Sequence, residues 1–518
     1  MKQMKYKLLI IMVIGGLLGC GDFLAESSQS EVRPATVDEL YQVMLGEAYW
    51  VHKQVGGVCN FLDILTDDIQ TNASDGKEVA VSAMEARRPL YAWEREMFEE
   101  CASIVTNTWD GYYNKIKGCN VILDYMDRVT GSDSKKMDMR GQCLVLRGWY
   151  YLQLVNLYGQ PYNEGDPTKN PGVPLKLTMD VTDELYPRNS VSEVYEQIVK
   201  DLTEGLCLLK QYGTETSVFK VNANVARAIL SRVYLYMENW DQAIAYADSV
   251  LEIKSSLCRM ADFEDIDKVV KADMNSGENG VYNITVSNEV IWTFGTESQE
   301  YRLLNVSLVG NPVPYGVSDN LINCFEKGTD NTKVGDLRRY YNFKKYGIFG
   351  TRGTFYSYGL KSGANGGSSN YWGVKGIRTA ELYLNRAEAY CRKFMETGNA
   401  EFRLKALADL NTLREARFDT RNTSYMLVEN RSDIKTTTGE DLFTFCQEER
   451  RRELAFEDHR WFDLRRWGMP RLEHRYQSVR GGVENVYVLE EKSLHYALPI
   501  PESVLDANKA LEQNPFND

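Results

Sequence analysis

Apolar side chains recur at three- and four-residue steps through most of the chain, the period of an amphipathic helix rather than of a strand. The clearest run is 222–254, where Ala226, Ile229, Leu230, Val233, Tyr234 and Met237 share one face. After a turn at Asn239 the register resumes with Trp240, Ala243, Ile244, Ala247, Val250 and Leu251. This pattern predicts two antiparallel helices joined by a short turn. Further segments with the same period lie near 36–53, 98–129, 134–158, 190–212 and 401–418. Thr438 is placed to cap a helix running through Leu442, Phe445 and Cys446. The pattern fails over about 260–376. That stretch holds the strand-like run Glu289-Val290-Ile291-Trp292-Thr293-Phe294 and Tyr-rich loops, with nine Gly between 347 and 376.

Leu230, Ser231, Tyr234, Ala243 and Ala247 also sit at the spacing of small and large residues in a tetratricopeptide repeat. Weaker echoes occur at Arg147-Gly148-x-x-Tyr151 and Arg386-Ala387-x-x-Tyr390. The units do not return at a fixed period of about 34 residues, so a regular solenoid is excluded. The fold class this predicts is mostly α: irregular tetratricopeptide-like helical hairpins with loop-rich insertions and a few short strands.

Composition narrows the function. The chain carries 60 Lys plus Arg against 73 Asp plus Glu over 518 residues, a formal charge of −13, and no basic run longer than three residues. Such a balance disfavours polyanions, so nucleic acid is not an expected partner. Tyr is abundant, 32 against 18 Phe and 9 Trp, which suits half-exposed ligand platforms as well as cores. At the amino terminus Lys2, Lys5 and Lys7 precede an apolar stretch from Leu8 to Leu18 that is too short to span a bilayer. It ends in Leu17-Leu18-Gly19-Cys20, which resembles a bacterial lipoprotein signal. Residues 1–19 are then the signal peptide, Cys20 the lipid-bearing residue, and 20–35 a membrane-anchored linker. The other nine cysteines are scattered without a CxxC pair and read as small buried hydrophobes. Asp262, Asp265 and Asp267 lack the Gly of a calcium-binding loop. No cofactor or metal site is expected; a structural calcium cannot be read from the sequence.

The carboxy-terminal third carries the most distinctive run, Glu448-Glu449-Arg450-Arg451-Arg452-Glu453-Leu454-Ala455-Phe456-Glu457-Asp458-His459-Arg460-Trp461-Phe462-Asp463-Leu464-Arg465-Arg466-Trp467-Gly468. By itself it predicts a helix whose acids and arginines pair at three- and four-residue spacing, such as Glu448 with Arg452 and Glu457 with Arg460. An acid/base role for His459 with Glu457 lacks a nucleophile or metal partner. This run strongly resembles the hallmark of the SusD/RagB family of nutrient-binding outer-membrane lipoproteins from Bacteroidetes. Three other segments agree with that family in the right order: Trp109-x-x-Tyr112-Tyr113, then Ile377-Arg378-Thr379-Ala380-Glu381 through Tyr390, then Tyr496-Ala497-Leu498-Pro499-Ile500-Pro501.

The resemblance implies one SusD-like domain over 36–518. Its helical scaffold covers about 36–255 and 377–470, its variable ligand region about 256–376, and its closing segment 471–518. It also implies a SusC-like TonB-dependent transporter as partner, facing the scaffold. Three function classes follow: a non-enzymatic surface protein that captures a glycan or, alternatively, a peptide; a glycoside hydrolase; and a bare interaction scaffold. A hydrolase needs two carboxylates flanking the scissile bond. The conspicuous acidic pair, Asp67-Asp68, consists of adjacent residues that point apart, and it reads as a cap or structural contact. The expected function is glycan capture for import. Sugar faces stack on flat rings. By resemblance the ligand-binding residues fall at Tyr91, Trp93, Tyr301, Arg302, Tyr315, Tyr371 and Trp372, with Tyr356 and Tyr358 near them. Trp93 and Trp372 are the leading candidates because each stands among polar or small neighbours.

Overall fold

A computed structural model describes residues 33–50, 59–180, 184–272, 277–294, 313–327, 335–346, 355–359, 361, 363, 375–421 and 424–516. Its scaffold is a succession of helices: α1 (Val37–Glu47), α2 (Thr108–Tyr125), α3 (Asp133–Tyr158), α4 (Val191–Tyr212), α5 (Ala223–Tyr236), α6 (Trp240–Leu251), α7 (Thr379–Thr397), α8 (Ala400–Arg417), α9 (Gly439–Leu454) and α10 (Arg460–Arg466). From α1 to α8 each packs on the next, and α9 lies against α7 and α8. The expected tetratricopeptide-like, mostly helical class is the observed one. Short strands form two-stranded antiparallel ribbons around this scaffold: β1 (Ile69–Thr71), β2 (Val290–Phe294), β3 (Tyr315–Val317), β4 (Phe343–Tyr346), β5 (Phe355–Gly359), β6 (Lys375–Arg378), β7 (Leu472–Tyr476) and β8 (Asn485–Leu489), paired β1–β3, β2–β6, β4–β5 and β7–β8.

Local chemistry explains the helix ends. Thr36 with Glu39 and Ser190 with Glu193 form capping boxes on α1 and α4, and the Thr438 hydroxyl accepts from the Asp441 N–H. Every residue from Gly141 to Tyr158 is buried, so α3 is sunk between its neighbours. It approaches α4 closely because side chains are missing at the crossing. A Cβ on Gly205 would stand 2.8 Å from Val145 Cγ2 and 2.9 Å from the Gly141 carbonyl oxygen. The buried polar groups of α3 are matched: Arg147 makes a bidentate pair with Asp201 at 2.7 and 2.8 Å, and Gln142 accepts from Tyr49 Oη at 2.7 Å. In the α5–α6 hairpin, Ala243 and Ala247 are fully buried and Ser231 Oγ donates to the Ala243 carbonyl at 3.0 Å. The small residues read from the sequence thus lie at the helix contact.

Two expected helices differ. The segment 98–129 is interrupted: a short turn of helix at Met97–Glu100 is followed by α2, which starts only where Asn107 accepts from the Asp110 N–H. The hallmark run is not one helix either. It breaks after Leu454, where Phe456 and Asp458 both adopt left-handed backbone with φ of 63°. Non-glycine residues pay for that conformation on the order of 1–2 kcal/mol each. The kink turns Glu457 inward and Asp458 onto Lys375 Nζ, at 2.6 Å. None of the nine cysteines between 59 and 446 is disulfide-bonded; seven are buried as expected, but Cys207 is exposed and Cys324 half-buried. Among the described residues no helix is long and apolar enough to cross a membrane.

Candidate ligand-binding site

Two ribbons, β1–β3 and β4–β5, meet through β3 and β5, and a third, β2–β6, packs on α5. In β2–β6, Phe294 and Lys375 are cross-strand partners. Those two residues flank the segments 295–312 and 364–374, so the roots of both segments lie side by side. In β4–β5, Tyr346 pairs with Phe355, bringing the flanks of 347–354 together in the same way. The ribbon β1–β3 packs on β5 through Gly316, where a Cβ would meet the Tyr356 carbonyl oxygen at 2.4 Å. Asn72 pins the start of this strand, donating from Nδ2 to the Val313 carbonyl at 2.8 Å. Tyr301, Arg302, Tyr371 and Trp372, and the side chain of Tyr358, lie outside the described residues.

The other expected platform residues are corrected by their burial. Trp93 is 5% exposed; its indole N–H donates to the Leu65 carbonyl at 3.0 Å and its ring stacks on the His474 imidazole at 4.0 Å. Tyr91 stacks on the same imidazole at 4.1 Å, so His474, reaching in from β7, lies between the two rings. Tyr315 meets Tyr91 edge to face and donates to the Met84 carbonyl. Tyr356 is buried as well. The Tyr91 and Trp93 rings spend their faces on His474, and Tyr315 packs its ring on Tyr91, so this buried cluster offers none of them to a ligand. Burial pushes the His474 pKa down to about 4, although carbonyls of Tyr91 and Thr66 contact its two nitrogens.

What holds the ribbons to the scaffold is a buried ionic clamp, which sequence reasoning did not find. Arg378, at the end of β6, reaches Glu289 Oε1 at 2.6 Å, Glu453 Oε1 at 2.8 Å and Glu457 Oε1 at 2.5 Å. Arg417 of α8 meets Glu289 at 3.0 Å and Glu453 at 2.9 Å. Arg338 meets Asp336, Glu449 and Glu453 at 2.6, 2.6 and 3.1 Å. Lys361 closes on Glu457, which also accepts from Tyr282 Oη at 2.6 Å. All these side chains are sealed from solvent, and acids and bases nearly balance. The partners of Glu453 and Glu457 come from segments 36 to 175 residues away, so their ladder was not readable from local spacing. Glu448 does reach Arg452, at 3.6 Å, as the spacing predicts. The expected pair Glu457–Arg460 is not formed; Arg460 instead makes a bidentate pair with Asp67 at 2.8 Å.

The acid/base candidates are committed to the same architecture. Arg451 and Arg460 override the effect of burial and hold the Asp67 carboxyl down to about 2, while Asp68 is fully buried against Arg451 at 2.6 Å. His459 is buried, its Nδ1 3.3 Å from Arg450; burial, reinforced by the surrounding guanidinium groups, holds its pKa well below the usual value. Asp265 accepts from Asn279 and Tyr341, and among the described residues no group of three His, Cys, Asp or Glu is placed to hold a metal ion.

The clamp, and a second buried ion pair of Glu388 on α7 with Arg466 on α10, give an acid limb to stability. Burial alone would raise the Glu388 pKa, but Arg466 overrides it and holds this carboxyl down to about 2, from an ordinary 4.5; at Glu453, too, burial is overridden by Arg417 and Arg378, which hold the carboxyl well below its usual value. A depressed carboxylate stabilises the fold fully above its unfolded value and loses that contribution as pH falls through the folded one. Buried Asp63, raised to about 7, acts with the opposite sign above 3.8. The unfolding free energy from urea titration is therefore expected to fall between pH 3.8 and 2, by about 2 kcal/mol from Glu388 alone. A flat unfolding free energy over that range contradicts these buried ion pairs.

Comparison with known proteins agrees with this architecture. Residues 22–235 match a family model described as "Starch-binding associating with outer membrane", and 278–516 match the SusD family. SusD-like protein P2 of Formosa agariphila is 22% identical over 504 residues, covering 89% of this chain and 90% of that one. A SusD superfamily protein of Bacteroides thetaiotaomicron superposes with a TM-score of 0.64 at 21% identity, over 93% of this chain and all of the other. A SusD-like carbohydrate binding protein of Bacteroides vulgatus gives 0.62 at 20% identity, over 92% and 97%. The chain is a member of the SusD/RagB family.

Proposed function

We propose that this protein captures a glycan at the outer face of the outer membrane, without cleaving it, and passes it to a SusC-like TonB-dependent transporter. The observation that carries the reading is the cross-strand contact of Phe294 with Lys375. It joins the roots of the segments bearing Tyr301 and Arg302 on one side and Tyr371 and Trp372 on the other, within a chain of a family whose model is described as starch-binding. Engagement of Asp67, Asp68 and His459 by arginines supports binding without hydrolysis. Trp372→Ala is expected to weaken glycan affinity roughly 5- to 150-fold in calorimetry, as loss of a stacking ring costs on the order of 1–3 kcal/mol. Unchanged affinity places the platform elsewhere.

The anchor is Cys20, outside the described residues. Acyl chains on it hold the body to the membrane face, each buried methylene contributing about 0.8 kcal/mol. Cys20→Ala is expected to move the protein from the membrane to the soluble fraction on cell fractionation; a variant that remains membrane-bound contradicts the assignment.

A further inference from the structure

Most of the buried arginines of this fold come with acids. Arg232 has Glu381, Arg450 has Asp463, and Arg466 has Glu388 and Asp463. Arg188 has no carboxylate but donates to the carbonyls of Gly172, Glu512, Tyr158 and Pro171 and to Asn514 Oδ1. Arg465 has neither arrangement. It is 2% exposed, and among the described residues its hydrogen bond runs from Nη2 to the Gly159 carbonyl just past the end of α3, while Nε and Nη1 have no acceptor. The titratable groups facing it are phenols: Tyr195 from α4, Tyr236 from α5 and Tyr496 from the turn at Leu494–Tyr496.

A second orphan lies on the same helix face. Trp461 precedes Arg465 by four residues on α10, which puts the two positions on one face of the helix. Trp461 is fully buried, its ring stacks on Tyr496 at 5.0 Å, and its indole N–H has no acceptor. The Tyr236 hydroxyl is likewise buried and unpartnered. Three nitrogen donors without an acceptor and one positive charge without a carboxylate partner therefore lie buried within one turn of α10. Burial lowers the Arg465 pKa to about 10, which leaves it charged at neutral pH.

We propose that Arg465 and Trp461 hold a buried monovalent anion of the halide class, chloride under cellular conditions. Water would accept from the donors but leave the charge uncompensated in a low-dielectric interior, where an isolated ion is costly. A halide supplies the charge, accepts from several directions and brings no hydrogen to place. A phosphate or sulfate would bring more acceptor oxygens than these donors can serve. The ion would tie α10 to α3, α4 and α5.

The test uses the full chain in detergent, exchanged from chloride into gluconate at constant ionic strength. Chloride or bromide is then titrated back while thermal unfolding is followed. A saturable rise of about 2 °C is expected in the wild type and none in Arg465→Met. Because that variant can fail to fold, bromide-soaked crystals of the wild-type protein provide the second measurement. Anomalous density beside Arg465 Nε and Trp461 Nε1 supports the site. Coincident midpoints in gluconate and chloride, or density for water alone, overturn it.

Discussion

Glu453→Gln is expected to destabilise the protein by about 3–5 kcal/mol, the cost of leaving buried charge uncompensated. Glu453 meets Arg338 at 3.1 Å, Arg378 at 2.8 Å and Arg417 at 2.9 Å, with every partner sealed from solvent. An amide in its place removes the charge and turns donors toward donors. Glu448→Gln, one turn away and paired with Arg452 from a carboxylate that is 57% exposed, should cost less than about 1 kcal/mol. Urea unfolding of the two variants separates a buried clamp from a charged surface. Equal midpoints would remove the clamp from the account.

Trp93→Ala is expected to lose about 3–5 kcal/mol of folding stability, the range for deleting a buried large aromatic. It opens a cavity beside His474 and leaves the Leu65 carbonyl without its indole donor. In the fraction that remains folded, glycan affinity should equal that of the wild type, because the ring offers no face to solvent. Chemical unfolding and calorimetry on one preparation check both halves. Loss of affinity with full stability would restore Trp93 to the ligand platform.

The contrast between these residues shows what the chain made legible. The helices were readable because amphipathic period is local: α4 begins within a residue of its expected position, and Thr438 caps α9 as its side chain predicts. The small residues of the α5–α6 hairpin were readable for the same reason. The break at Ala455–His459 was not, since neither Gly nor Pro marks it; the fold imposes left-handed backbone on Phe456 and Asp458 to aim acids inward. Charges in the hallmark were visible, but the Glu457 partners Lys361 and Arg378 are 96 and 79 residues away in the chain, so local spacing assigned it Arg460 instead. Trp93 looked like a loop ring among polar neighbours. Its burial depends on His474 from β7, a contact no local pattern encodes.

The function proposed for this protein is capture of a carbohydrate without chemistry. A panel of purified polysaccharides and peptides, incubated with the protein in the absence of any transporter, tests it most directly, with binding and release of reducing ends measured on the same samples. Saturable binding to at least one polysaccharide is expected, with no new reducing ends. Reducing-end release, or binding to peptides alone, would contradict it.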